Sequence, residues 1–428
     1  MTRFAIATAI VLTSCCAMPA TAQTDSSVLV DTAIPDNFDR DRNVGVLERP
    51  RPDYEPIGVQ LGSFIVKPQV EVGAGYNSNI YLTTNNPTDS GFVYALPSVS
   101  ATSDWAIDEV ALSGSALLRR YLSNGRRNES SYTLRALGRK DIAGAFSLTG
   151  EGQFSRLFES PQTGAINSSL SVLSSYNRSF FSLRGQYREG QSRAIIALDR
   201  TSFSFNDIVQ PSGAINQRDR DRIVWRTTGE YQFAISPSLS LYTQGTYSRI
   251  DYSIPLFTGA ANRSSRGFRI VGGVNFDLAG LMRGKLGAGY INRNYTSALY
   301  HDASGVSVEA DVEFFPSALT TIGIGLGRTV EDTSIANTSS FFENRVQLRI
   351  NHELLQNLLL NGAVEYRRQI YQDSPNRNNF YQATAGATYL SSRTISLNGS
   401  LNYLRRTTSG FSSGFNEFRV QVGVTFKR

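Results

Sequence analysis

Residues 268–277 run Phe268-Arg269-Ile270-Val271-Gly272-Gly273-Val274-Asn275-Phe276-Asp277, with Phe268, Ile270, Gly272, Val274 and Phe276 at every second position. Successive side chains of a strand point to opposite faces, so a period of two gives one apolar and one polar face. The same beat occurs upstream, where Phe146, Leu148, Gly150, Gly152 and Phe154 alternate with Ser147, Thr149, Glu151 and Gln153. Downstream, Leu397, Gly399, Leu401 and Tyr403 alternate with Ser396, Asn398, Ser400 and Asn402. The period holds from about residue 65 to the last residue.

Soluble sandwiches or solenoids and transmembrane barrels both produce this pattern. Three features select the barrel. The strands read as about 10–13 residues, longer than the 5–6 usual in soluble sheets and suited to a tilted crossing. Aromatics gather near strand ends, at Tyr231/Phe233, Phe314/Phe315, Tyr366 and Tyr403, where an interfacial girdle belongs. Short connections (234–238, 316–318, 355–357, 391–393) alternate with long polar ones (206–221, 253–266, 296–304, 332–340, 372–379). The expected fold is therefore all-β, a transmembrane antiparallel up-and-down barrel over residues 61–428. Both termini on the periplasmic side require an even strand count. Treating Ser168–Asn177 as part of an outer loop leaves about eighteen strands, with sixteen if the first pair is poorly formed.

Composition agrees. Only 18% of the 428 residues are charged and 40% are hydrophobic, which excludes general disorder. The net charge of +6 is too mild to imply nucleic acid. Arg supplies 38 of the 42 basic residues, with Lys only at 67, 140, 285 and 427. A planar guanidinium fork suits carboxylates, phosphates and sugar hydroxyls, although genomic base composition produces the same bias.

The start, MTRFAIATAIVLTSCCAMPATAQ, has a basic residue, a short apolar run and Ala20-Thr21-Ala22. It reads as a secretory signal over 1–22, cleaved after Ala22; the alternative is lipidation at Cys15. Cleavage removes Cys15 and Cys16, leaving no thiol for disulfides or metal. Residues 23–60, charged and Pro-containing, read as a flexible periplasmic arm, the alternative being a periplasmic docking segment. The closing segment Phe418–Arg428 places Val420, Val422, Val424 and Phe426 on the lipid face as a membrane-insertion signal, with Gln421 on the watery face.

Gly75-Tyr76-Asn77-Ser78-Asn79-Ile80-Tyr81, Asn216–Arg222 and Asn351–Leu358 resemble segments of the putative β-barrel porin type 2 family of Gram-negative outer-membrane proteins. The resemblance spans roughly residues 60–428. It implies a cell outer-membrane barrel of unassigned cargo, with some relatives associated with exopolysaccharide export.

Chemistry-bearing motifs are scarce. His301-Asp302 falls in an outer loop without a second acidic pair, and His352 sits beside a periplasmic turn. No metal-ligand or phosphate-loop motif occurs, so neither catalysis nor a cofactor is expected. What remains is the polar barrel face, where Arg184, Arg188, Arg226, Glu230, Tyr242, Glu309, Asp311, Glu313, Arg345 and Arg349 are the expected pore-lining residues. Gly323, Gly325 and Gly327 are expected to keep a strip clear, over which Arg345 and Arg349 lean toward the carboxylates of Glu309, Asp311 and Glu313. The expected activity is a passive conduit. The alternatives are an exit channel for a secreted exopolysaccharide and a non-conducting structural or adhesion barrel. Expected partners are outer-membrane lipid and lipopolysaccharide, the barrel assembly machinery, and a saccharide or anionic solute.

Overall fold

The computed structural model describes residues 44–160, 162, 172–210, 213–278, 280–333, 338–372, 374–410 and 413–428. Ala20 and Ala22, and the whole signal segment, lie outside the described residues. Eighteen strands of 13–16 residues form one antiparallel sheet. They are β1 Phe64–Asn77, β2 Ser90–Ser103, β3 Glu109–Tyr121, β4 Glu129–Ile142, β5 Phe146–Phe158 and β6 Ser175–Glu189. Then follow β7 Ser192–Phe205, β8 Arg222–Ser236, β9 Leu239–Tyr252, β10 Ser265–Leu278, β11 Met282–Tyr295 and β12 Ala303–Ser317. The last six are β13 Thr320–Asp332, β14 Ser340–Leu355, β15 Leu358–Tyr371, β16 Arg377–Leu390, β17 Ile395–Ser409 and β18 Phe415–Lys427.

Each strand pairs with the next, and β1 pairs with β18 from Gln69↔Lys427 to Asn77↔Arg419, which closes the sheet. Two short ladders are added. Val59–Leu61 folds back on the start of β1, and Ile208–Gln210 pairs with Gly213–Ile215 inside the β7–β8 connection.

The strands exceed the expected 10–13 residues because they run into the segments read as turns. Register irregularities at Ala234/Ser236, Phe314/Ser317 and Glu353/Leu355 extend them, and only 237–238, 318–319 and 356–357 remain as connections. Bulges of this kind commonly sit at barrel rims. Gly190 has φ +56° between the paired Glu189 and Ser192, the first central position of a primed two-residue turn, which an L side chain rarely adopts. Of Ser168–Asn177, expected to be loop, Ser175–Asn177 begin β6, whereas 168–171 lie outside the described residues.

The face assignment follows the period. Val306, Ile324, Leu326, Val346, Leu348 and Ile350 are exposed on the outer surface, as are Tyr231, Phe233 and Tyr403. In β18, Val422 and Phe426 are exposed, while Val420 and Val424 on the same face are half-buried. Gln421 departs from expectation: it points inward but is buried, because its neighbour Gly75 lies beneath the Phe92 ring.

Two inward tyrosines lie flat on glycine. Tyr94 of β2 crosses Gly73 of β1 and Gly423 of β18, and its hydroxyl donates to Glu71 Oε1 at 2.7 Å. An ideal Cβ on Gly73 would stand 2.7 Å from that ring. Glu71 also accepts from Asn398 Nδ2 at 3.1 Å and Thr425 Oγ1 at 3.2 Å, so one carboxylate ties β1, β2, β17 and β18 across the closing seam. Tyr242 of β9 likewise crosses Gly273 and Gly287 to donate to Glu309 Oε1 of β12 at 2.7 Å.

A charge on the lipid face should block assembly where one on the watery face does not. Arg costs about 2–4 kcal/mol near the midplane of such a surface. Val422→Arg should sharply reduce the heat-modifiable folded band on gels, whereas Gln347→Arg, beside Glu365 and Gly325, should retain it. Equal behaviour of the two variants would overturn the face assignment.

Candidate functional site: the lumen wall

The inner face divides into a wet strip and a packed collar. On β12–β14 the register aligns Glu309↔Gly327↔Arg345, Asp311↔Gly325↔Gln347 and Glu313↔Gly323↔Arg349. An ideal Cβ on Gly327 would meet nothing within 4 Å, and one on Gly325 only Gln347 at 3.8 Å. Across this cleared row Arg349 Nη2 reaches Asp311 Oδ2 at 3.2 Å, with both side chains over a third exposed. An ion pair this wet stabilises by about 0–1 kcal/mol, so it shapes the field more than the stability.

This pair runs on the diagonal between two rungs, and Glu309, Glu313 and Arg345 have other partners. Glu309 turns the opposite way, to Arg269, to Lys285 at 3.2 Å and to Tyr242. Glu313 pairs with Arg283 at 2.6 Å, and Arg345 faces Glu365 at 3.9 Å. Glu313 finds Arg283 on the adjacent strand, whereas Glu309 is drawn to the β9–β11 side, where Gly273 and Gly287 let Tyr242 cross to it. Three expected pore-lining residues point inward but are covered. Arg226 is buried against Asp199 at 3.6 Å, Glu230 accepts from Gln244 Nε2 at 2.7 Å, and Tyr242 lies under its neighbours. Arg184 and Arg188 remain at least partly exposed on the inner face of β6.

Toward the long-loop end the wall is lined by apolar clusters. One joins Tyr176, Phe203, Phe205, Val224 and Ile250; another joins Ile80, Phe92, Tyr94, Leu117 and Tyr121. Guanidinium groups stack on these rings: Arg222 on Phe203 at 4.5 Å, Arg119 on Phe92 at 5.0 Å, and Arg406 on Phe415 at 4.7 Å. Buried arginines there find carboxylates, as Arg293 does with Asp332 at 2.8 Å.

A strut crosses this end. Gln162, just after β5, donates through Nε2 to Gln382 Oε1 of β16 at 2.7 Å, and its backbone carbonyl accepts from Gln369 Nε2 of β15 at 2.6 Å. Those strands lie about half-way round the barrel from β5. The strut's root is fixed by Glu159, which accepts from Arg220 Nη1 at 3.0 Å, and Arg220 stacks on Phe205 at 4.0 Å. Burial alone would raise the Glu159 pKa, but the Arg220 guanidinium outweighs it and holds the carboxyl below its ordinary value.

The short-turn end carries a second closure. Residues 44–57, within the stretch expected to be a flexible arm, pack on the inner rim of β11–β16. Val46 is 1% exposed against Leu359 and Leu390, and its N–H donates to Thr321 Oγ1 at 2.9 Å. Glu353 receives Arg51 at 2.6 Å and Arg49 at 3.3 Å, while Glu48 meets Arg283 at 3.2 Å. Alternating Arg and Pro in Arg49-Pro50-Arg51-Pro52 hid this docking in the sequence, because the arm has no period of its own.

Asp302 accepts from the Tyr295 N–H at 2.8 Å, and His352 Nδ1 lies 3.0 Å from Thr320 Oγ1. Among the described residues no cluster of His, Cys, Asp or Glu could hold a metal.

The family described as "Putative beta-barrel porin 2" matches residues 51–428. No curated protein matches the chain. Among solved structures, the outer membrane protein OpdK of Pseudomonas aeruginosa aligns at 13% identity and TM-score 0.47, covering 85% of this chain and 99% of its own. OccAB4 of Acinetobacter baumannii aligns at 12% and 0.45, covering 86% and 99%. The siderophore receptor PirA of Pseudomonas aeruginosa aligns at 9% and 0.44, covering 85% and 80%.

Both closures can be released separately. The lowered Glu159 pKa means its stabilisation is complete above the usual carboxylate value of about 4.3 and is lost only as pH falls through the lower folded value. Single-channel conductance should stay level from about pH 8 to 5 and rise only below about pH 4; a change centred near neutrality would exclude Glu159 as the anchor. Glu353→Gln should leave the barrel folded while speeding amide exchange at Val46 about tenfold, and unchanged exchange would mean the arm is held without it.

Proposed function

Because the chain belongs to the β-barrel porin 2 family, we propose that it is a porin-like passive conduit in the outer membrane of a Gram-negative bacterium. No covalent chemistry is assigned to it. The observation that carries this reading is the wet strip: Asp311, Arg345 and Arg349 keep between a third and a half of their side-chain surface exposed on the inner face, beside a row of glycines. Such a wall offers water and charge to a solute while lipid stays outside. The outer strut at Gln162 would set the narrowest cross-section, and the docked arm would narrow the opposite mouth. A wide polymer would have to displace both, which makes the exopolysaccharide exit channel the weaker reading. An adhesion barrel needs no wet strip at all.

In this reading the short turns face the periplasm and the long loops face outside. Ala214, exposed in the β7–β8 connection, and Ser392, in the turn after β16, report on the two sides. Ala214→Cys should label in intact cells with an impermeant maleimide and Ser392→Cys should not; the reverse pattern would invert the orientation. The purified barrel should conduct ions in planar bilayers, and Gly325→Arg should lower that conductance by filling the cleared strip. A folded but non-conducting barrel would sink the channel reading.

A further inference from the structure

On the outer surface of β15–β17, near the long loops, three arginines surround one asparagine. Val364, Tyr381, Leu401 and Tyr403 are exposed on this surface. Alternation therefore puts Arg368 of β15, Arg377 of β16 and Arg405 of β17 on the same face. The register sets Arg368 opposite Asn379 and Arg405 opposite Tyr381, while Arg377 lies two residues before Asn379 on its own strand. By strand spacing and rise, each arginine Cα stands within about 8 Å of Asn379. Arg377 and Arg405 are exposed and Arg368 is half-buried.

Among the described residues no carboxylate stands within ion-pair distance of these three. The outward positions of β14–β18 include neither Asp nor Glu. Glu343, Glu365 and Glu417 of these strands turn inward, to Arg367 and Arg419. On β9, by contrast, the outward Arg249 has Asp251 at 2.9 Å. Asn379 Oδ1 accepts from the Tyr366 hydroxyl at 2.9 Å, which leaves its Nδ2 hydrogens to donate. On the short-turn side of the triad the Tyr366 and Tyr381 rings lie 5.2 Å apart, and Tyr403 and Phe418 are exposed beside them. An aromatic girdle marks the boundary between hydrocarbon and headgroups. The arginines therefore stand at headgroup level, on the long-loop side of that girdle.

We propose that Arg368, Arg377 and Arg405 bind the phosphate of an outer-leaflet glycolipid, whose acyl chains run down the aromatic and aliphatic band below them. The inference rests on the outer-membrane reading with the long loops outside. Guanidinium forks bind phosphoryl oxygens through paired N–H donors, and one phosphate placed over Asn379 is within reach of all three. A basic cluster at headgroup level attracts anionic lipid, and three like charges without a carboxylate gain most from a fixed counter-charge. The acyl chains hold a lipid phosphate beside this face, which a free anion lacks. A lipid is thus the better occupant.

The test uses the full barrel folded in detergent, with purified lipid A, its dephosphorylated counterpart and inorganic phosphate as probes. Arg368→Gln, Arg377→Gln and Arg405→Gln together should weaken binding of phosphorylated lipid A about tenfold. Dephosphorylated lipid A should bind the wild type and this variant equally weakly. Lys at the same three positions keeps the charge without the fork, perturbs folding less, and should give an intermediate affinity. Arg249→Gln, whose arginine already has Asp251, should bind as the wild type does. A heat-modifiable Gln variant with wild-type affinity for phosphorylated lipid A would overturn the site. Inorganic phosphate that competes as well as the lipid would assign the triad to a free anion and overturn it too. In intact cells, labelling at Ser392→Cys rather than Ala214→Cys would place the triad at the periplasmic leaflet and remove the glycolipid as its ligand. Conductance in planar bilayers should be the same with and without the arginines, since they face away from the lumen. A non-conducting barrel that loses lipid A with the arginines would keep the site while sinking the channel reading.

Discussion

Every backbone N–H and C=O in the hydrocarbon layer must find a partner within the protein, because lipid offers none. An open sheet fails this test at its two edges, and closure alone removes them. The pairing of β1 with β18 is therefore the contact on which the other strands depend. It is reinforced from inside, where Glu71 accepts from Tyr94, Asn398 and Thr425. The glycines at 73 and 423 are what allow the Tyr94 ring to lie across that seam.

Closure also sets the rules for the inner face. Side chains that would merely alternate on a flat sheet converge on a concave wall, so residues several strands apart come into reach. Arg222 of β8 approaches Asp332 of β13 at 4.0 Å, and Lys285 of β11 approaches Glu230 of β8 at 3.7 Å. Long side chains cross where glycine leaves room, as at Gly323 and Gly287. Glu313 instead pairs with Arg283 on the adjacent strand.

The lumen is thus graded from one end to the other. Toward the long loops, aromatic clusters and stacked arginines form a dry collar bridged by Gln162. Toward the short turns, charged groups remain in contact with water and the segment at Val46 docks on one side.

The amino-acid sequence by itself determined the strand period, the barrel class, the strand count and the sense of each face. Those properties are local, because a two-residue repeat reports on its own backbone. That arginines of β14 lean over the glycine row toward carboxylates of β12 was legible, because the strands are neighbours but one; which arginine meets which carboxylate was not. The tertiary structure alone decided which inward residues stay wet. Tyr242, Arg226 and Glu230 share the period of Arg349, yet curvature brings neighbours over them and leaves Arg349 open. Contacts across the barrel, Gln162 with Gln369 and Glu353 with Arg49 and Arg51, join segments more than 200 residues apart. No periodicity encodes such a contact; it exists only once the sheet has closed and its opposite walls face each other.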